Sequence, residues 1–177
     1  YRKATLRGTI DTSTRILIKH RTFNGDPGSW LVQPLDFADG DGTILVNRGW
    51  IPFQKAKKSV EPYVETEADA YTGLVHRLPK VVADSDNRRA VDRGELTVPG
   101  TTTRWDTFDV TTLYGALGEP TPGQPVVLIL DEQHSGSPYP KASYKHVTEP
   151  YLTSGRHLSY AVFWYAVAAA LVGLYLA

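Results

Sequence analysis

The apolar positions of this chain follow two rhythms and then merge into an unbroken run. In the first half, short stretches of β-branched and apolar residues alternate with turn-forming ones. Residues 3–10 and 15–20 read as strands around the turn composition Asp11, Thr12, Ser13, Thr14. Asn24, Gly25, Asp26, Pro27 and Gly28 make a second turn signal, followed by a strand over residues 29–35. Ala38 to Gly42 then gives a tight connection into residues 43–48, where Ile44, Leu45 and Val46 form a buried apolar run. Four strands at short spacing with glycine-rich turns predict an antiparallel meander. Residues 70–78 and 126–131 add two further strands, and residues 79–99 read as a long charged surface loop.

The helical rhythm occurs once in the first 153 residues. Val110, Leu113, Tyr114 and Leu117 stand at i, i+3, i+4 and i+7, with Asp109 at the N-cap position and Gly118 just past the end. Pro120, Pro122 and Pro125 then stop it. The expected fold class is a mainly β domain over residues 1–153, an antiparallel sheet or small barrel with one or two short helices. Residues 134–153 read as an irregular Pro-, Ser- and Tyr-rich segment along the surface.

The unbroken run is the tail. All 19 Lys and Arg and all 19 Asp and Glu lie at or before Arg156. About 20 residues of helix rise about 30 Å, the thickness of a bilayer's hydrocarbon core. Residues 154–177 are therefore expected to form a membrane-spanning helix. At about 100° per residue, Tyr160, Ala161, Trp164, Ala168, Leu171 and Tyr175 share the side of His157. Ala166, Ala169, Ala170, Gly173 and Ala177 cluster on the other side, where small residues let a second helix approach.

Composition narrows the chemistry. The chain has no Cys and no Met, so a disulfide framework, a thiolate zinc site and an iron–sulfur cluster are excluded. Copper delivery through soft sulfur ligands is argued against as well. The absence of Met at position 1 suggests a segment upstream, either a signal peptide or a first transmembrane helix. Net charge is zero with signs interspersed, which gives no nucleic-acid footprint; the basic run Lys55, Lys57, Lys58 reads as a solvated loop. No phosphate-binding glycine loop, nucleophile elbow or helical His pair is present, so the reading is not an enzyme. Asp84, Asp86, Asp92 and Glu95 are interleaved with Arg88, Arg89 and Arg93, which suggests mutual ion pairing rather than a metal site.

Two places remain as candidate sites. His157 opens the apolar helix, where an ionisable group is costly and tends to be functional. Imidazole is a common haem ligand and flat aromatics suit a macrocycle; equally, His, Tyr and Trp favour the membrane interface for their polar tips. The second place is Val46 to Pro52, VNRGWIP. Arg48 and Trp50 are residue types enriched at binding hot spots, and Gly49 permits close backbone approach. The plainer reading is a bulged strand end, with Trp50 capping the barrel and Arg48 in water.

Three blocks in order resemble the surfeit locus protein one family of respiratory-oxidase assembly factors. They are LRGTID from Leu6, TILVNRGWIP from Thr43 preceded by WLVQPL from Trp30, and HLSYAVFWY from His157. WDTFDVTTLYGALG from Trp105 also has a counterpart. The likeness spans nearly the whole chain. It implies one extracytoplasmic domain flanked by two transmembrane helices, the first of them upstream, in a bacterial cell membrane. Lys141, Lys145 and Arg156 lie on the outer flank in that topology, against the usual positive-inside bias. The resemblance implies assembly of haem–copper cytochrome c oxidase, with haem A handled during maturation of the catalytic subunit. It makes His157 the candidate axial ligand, with Tyr160 and Trp164 beside it. It matches Asn47, Arg48 and Gly49 to the family's signature block, which with Trp50 forms the candidate partner-binding block; Ala166, Ala169, Ala170 and Gly173 form the candidate helix-docking face, for oxidase subunits or a respiratory supercomplex. The alternative is a stable accessory subunit of a respiratory oxidase.

Overall fold

The strands anticipated from the sequence are present, and their pairings close on themselves. The computed structural model describes residues 2–23, 25–40, 42–58, 60, 68–78, 86, 89–90, 98–120, 122–131 and 154–176, with the backbone alone at 154–157. The elements are β1 (Arg2–Leu6), β2 (Gly8–Ile10), β3 (Arg15–Phe23), β4 (Asp26–Phe37), β5 (Thr43–Pro52), α1 (Phe53–Lys58), β6 (Tyr71–Arg77), β7 (Thr102–Trp105), α2 (Val110–Leu117), β8 (Val126–Leu130) and α3 (Ser154–Leu176).

β1 pairs with β6, β6 with β8, β8 with β5, β5 with β4, and the end of β4 with β2. Only Arg7 separates β2 from β1, so the ladders return to the strand where they began. A ring closed in this way leaves few free edges. The other half of β4 carries β3, and β3 carries β7, so these two strands extend the sheet beyond the ring. The meander β3–β4–β5 is antiparallel as expected. The β3–β7 and β5–β8 ladders are parallel, because β7 and β8 return to the sheet by long crossovers rather than hairpins.

The ring has a filled inside. Ile10, Leu35, Ile44, Val46, Tyr71, Leu128 and Leu130 come from β2, β4, β5, β6 and β8, yet pack as one cluster. Leu17, Leu31 and Ile51 continue the same face of β3–β4–β5, where Ala56 of α1 and Val60 cover it. The opposite face of these strands is also closed: Ile16, Ile18, Val32, Leu45, Val127 and Ile129 are all essentially inaccessible. Strands covered on both faces read as continuous apolar runs, which is why Ile44 to Val46 shows no alternation. α1 follows Pro52 and was not anticipated, because its residues are polar apart from Phe53 and Ala56. Gln, Lys and Ala are nonetheless strong helix formers, and Lys57 and Lys58 suit its C-terminal end.

α2 is built as the pattern indicates. Val110, Leu113 and Tyr114 are buried. Asp109 Oδ1 accepts the Thr112 N–H at 3.2 Å, and the Thr112 hydroxyl donates to Oδ2 at 2.6 Å. Gly118 ends the helix in the left-handed region at φ +78°, and the Glu119 N–H returns to the Tyr114 carbonyl at 3.0 Å. The Tyr114 hydroxyl donates to the Thr43 carbonyl at 3.3 Å, tying α2 to the start of β5.

Backbone contacts group the chain into two compact units, residues 1–144 and 145–177. In the second, residues Leu158–Leu176 of α3 are long and apolar enough to cross a membrane. The 79–99 loop lies largely outside the described residues, although Arg89 Nη1 meets Asp86 Oδ1 at 3.1 Å there, as the pairing expectation has it. The 134–153 segment lies outside them altogether.

The Asp109 cap gives a direct test. Asp109→Ala is expected to lower stability by about 1 kcal/mol, read as a shift in the urea midpoint followed by circular dichroism. Exposed Thr111→Ala in the same helix is expected to stay within about 0.5 kcal/mol.

Candidate functional site

The VNRGWIP block does not end a strand; β5 runs through it to Pro52. Val32 of β4 pairs with Asn47, and the preceding Leu31 pairs with Gly49, so Arg48 is one residue too many. This is a β-bulge. Asn47 Oδ1 accepts the Gly49 N–H at 2.8 Å across it. Gly49 sits at φ +124°, a conformation that side chains resist. The extra residue resets which way the strand faces. Val46 and Arg48 point into the ring, and Ile51 beyond the bulge keeps to the same face of the sheet, beneath α1. Asn47 and Trp50 point out.

The inward arm corrects the expectation that Arg48 lies in water. Arg48 is 0% exposed, because the strand continues past it and the bulge turns it inward. Its Nη1 donates to Gln33 Oε1 at 3.3 Å. Gln33 Nε2 donates in turn to the carbonyls of Asp11 at 3.0 Å and Thr14 at 3.3 Å. Thr14 Oγ1 accepts the Gly100 N–H at 2.8 Å. A polar chain thus runs from the barrel interior to the β2–β3 turn. Burial pulls the Arg48 guanidinium below its usual pKa, and Tyr71 opposes that shift; a guanidinium starts so high that it stays charged. Tyr71 also walls an open cavity of about 390 Å³ at the β1–β2 break, with Arg7, Thr9 and Asp69.

The outward arm makes a surface. Trp30 pairs with Trp50 across β4–β5. The Trp50 indole passes over Gly28, where any Cβ would overlap it. Its Nε1 donates to the Arg21 carbonyl at 3.0 Å, and its ring stacks on Phe23 at 5.4 Å. Arg21 reaches this face through a second bulge. Ile18 pairs with Trp30 and Arg21 with Gly28, so Lys19 and His20 together oppose Ser29. His20 takes the strain at φ +58°. The Arg21 guanidinium lies 4.6 Å over the Trp30 ring, and burial lowers its pKa. Beside it, Asp106 holds Lys19 Nζ at 2.8 Å and His20 Nε2 at 3.1 Å.

Of the block named from the sequence, Asn47, Arg48, Gly49 and Trp50 are therefore brought together as a bulge and buried within the fold. The surface they support is made by Arg21, Phe23 and Trp30, which the sequence reading did not single out. The signal available was the i, i+2 spacing of Arg21 and Phe23, hidden by the bulge before them. On α3, Tyr160 and Trp164 follow His157 by three and seven residues and are 59% and 64% exposed. The His157 side chain lies outside the described atoms. Ala166, Ala169, Ala170 and Gly173 are exposed. Among the described residues no three His, Cys, Asp or Glu gather as metal ligands.

Three outcomes are expected from denaturation of the variants. Gly28→Ala should lose about 1–3 kcal/mol through overpacking against Trp50, with a change in tryptophan emission. Arg48→Leu should lose about 1–3 kcal/mol, because Gln33 is left buried with an unmet acceptor. The Lys19 hydrogen bond, with help from His20, holds the Asp106 carboxyl below its usual pKa. Its contribution is therefore present at neutral pH and lost as pH falls below about 4. Asp106→Asn should remove that slope while costing under about 1 kcal/mol, since the pair is exposed.

Comparison with known proteins is consistent along the chain. The family model described as SURF1 family matches residues 1–169. A SURF1-like protein of Dictyostelium discoideum is 23% identical over 200 positions, covering 99% of this chain and 71% of that protein. No solved structure matches. The family is one of assembly factors rather than a class of enzymes. With nearly its whole length matched, the chain belongs to the SURF1 family, known as cytochrome oxidase assembly factors.

Proposed function

We propose that this chain is a membrane-anchored factor for haem–copper cytochrome c oxidase that presents haem A to the maturing catalytic subunit. In this reading α3 sits in a bacterial cell membrane and the β domain lies on the extracytoplasmic side. The observation that carries the proposal is the helical register of His157, Tyr160 and Trp164 on an apolar helix of a SURF1-family chain. At about 1.5 Å rise per residue these positions span about 10 Å of one helix side. The exposed Tyr160 and Trp164 leave that side open to a flat macrocycle. An iron-bound imidazole at His157 would supply axial ligation, and the two aromatic rings would flank the porphyrin. The chain's own part is to bind and orient the group against the apolar side of α3.

A second reading has its own observation. Ala166, Ala169, Ala170 and Gly173 are exposed on one helix and let another helix come close. It makes the chain a stable accessory subunit of a respiratory oxidase or supercomplex. Stoichiometric copurification with mature oxidase would favour it, and absence from mature oxidase would favour the assembly role.

The test of the first reading is spectroscopic. The full chain and its His157→Ala variant are purified from cells making haem A. The wild type is expected to carry the haem A absorption bands and the variant to lose most of them. Equal spectra from both would remove His157 as a ligand.

A further inference from the structure

The outer face of β3–β4–β5 holds an arginine that no carboxylate among the described residues answers. Arg21 is half-buried and stacked on Trp30. Its Nε is shut off from water and meets no acceptor among the described residues. Among the described residues no carboxylate forms an ion pair with it. Lys19 and His20 before it are in a different position, because Asp106 already holds both side chains. Among the described residues the face therefore offers an unpaired, partly desolvated cation, framed by Trp30, Trp50 and Phe23.

We propose that this face docks a carboxylate-bearing segment of a partner protein, with Arg21 as the anchor and Trp30 as its platform. Stacking on the indole occupies a face of the guanidinium and, with Nε shut off from water, leaves the Nη1–Nη2 edge for a ligand. That edge matches a planar carboxylate, which can accept two parallel bonds. A lipid surface is read by several dispersed cations, and the neighbouring Lys19 is already paired with Asp106. Trp and Arg in a partly desolvated cluster are also the composition of interface hot spots. The platform is pre-set: the bulge at Lys19–His20 turns Arg21 onto this side, and Trp50 fixes the main chain beneath it through the Arg21 carbonyl. A rigid site loses less ordering entropy on binding. This inference goes beyond the haem reading and does not need His157.

The test uses the full chain in detergent, observed by nitrogen-15 NMR at the Arg21 Nε and Trp30 indole resonances. The probes are a capped peptide with two glutamates between phenylalanines, its glutamine counterpart, inorganic phosphate, and nanodiscs of anionic lipid. The glutamate peptide is expected to shift both resonances saturably, and the glutamine peptide to bind at least roughly tenfold more weakly. R21K should weaken binding by a similar factor, because it keeps the charge and loses the fork. In R21Q the Trp50 indole resonance should stay in place, since its acceptor is a main-chain carbonyl. W30L supplies a second variant that keeps the charge and loses the platform; it too should bind more weakly. Equal binding of the two peptides would reduce the face to an apolar surface. Stronger response to phosphate or to anionic lipid would assign a different ligand class. No saturable shift with the glutamate peptide, or full affinity in R21K and W30L, would overturn the proposal.

Discussion

One short hydrogen bond sets the layout of the β domain. Asn47 closes on the Gly49 N–H and holds Arg48 as an extra residue in β5. Without that insertion the alternation of the strand would run on unchanged. With it, the segment before the bulge and the segment after it each keep apolar residues inside, while Arg48 is captured in the ring and Trp50 is released to the outer face. The bulge thus joins two otherwise separate features. Inside, Arg48 hands a polar chain through Gln33 to the β2–β3 turn. Outside, Trp50 roofs Gly28 and fixes Arg21 and Phe23. Asn, Arg, Gly and Trp are each required by a different part of one geometry. A charged group buried in a barrel is a poor source of stability by itself; its role here is to fix a register.

The second bulge, at Lys19–His20 on β3, works with the first. Both lie against β4, one on each side of it. Together they turn Arg21 and Trp50 toward the same side as Trp30. A sheet face that would otherwise continue the apolar pattern of Ile16, Ile18 and Val32 becomes a cationic and aromatic surface at its end. The price is strain at His20, and Asp106 offsets part of it by binding that side chain.

How much of this was legible in the sequence follows from what sets each element. α2 was readable to its ends, because its apolar period, Asp109 and Gly118 are all local signals. The apolar run of α3 was readable for the same reason. The strands were readable as segments, but their lengths were not. The local patterns of residues 15–20 and 43–48 both break at a bulge, where the polar residues Lys19, His20, Asn47 and Arg48 interrupt the apolar run. The closure of the ring depends on β2 meeting β4, a pairing of distant residues that no local pattern encodes. β7 was missed because Thr102 to Trp105 is short and joins β3 in parallel across a long connection. Arg48 was placed in water because an arginine after a buried run ordinarily ends it; burial at that position is created by the bulge and by Gln33, twenty-two residues from the Asp11 carbonyl it binds.

The layout of the β domain requires Arg48 to face the barrel interior, so the most direct measurement is hydrogen exchange of its guanidinium protons in the full chain. Arg48 is buried and Arg2 is exposed, which supplies an internal reference. The expected result is exchange at Arg48 slowed by orders of magnitude relative to Arg2, with the Trp50 indole proton also protected. Exchange at Arg48 as fast as at Arg2 would contradict the inward arm of the bulge and with it the layout built upon it.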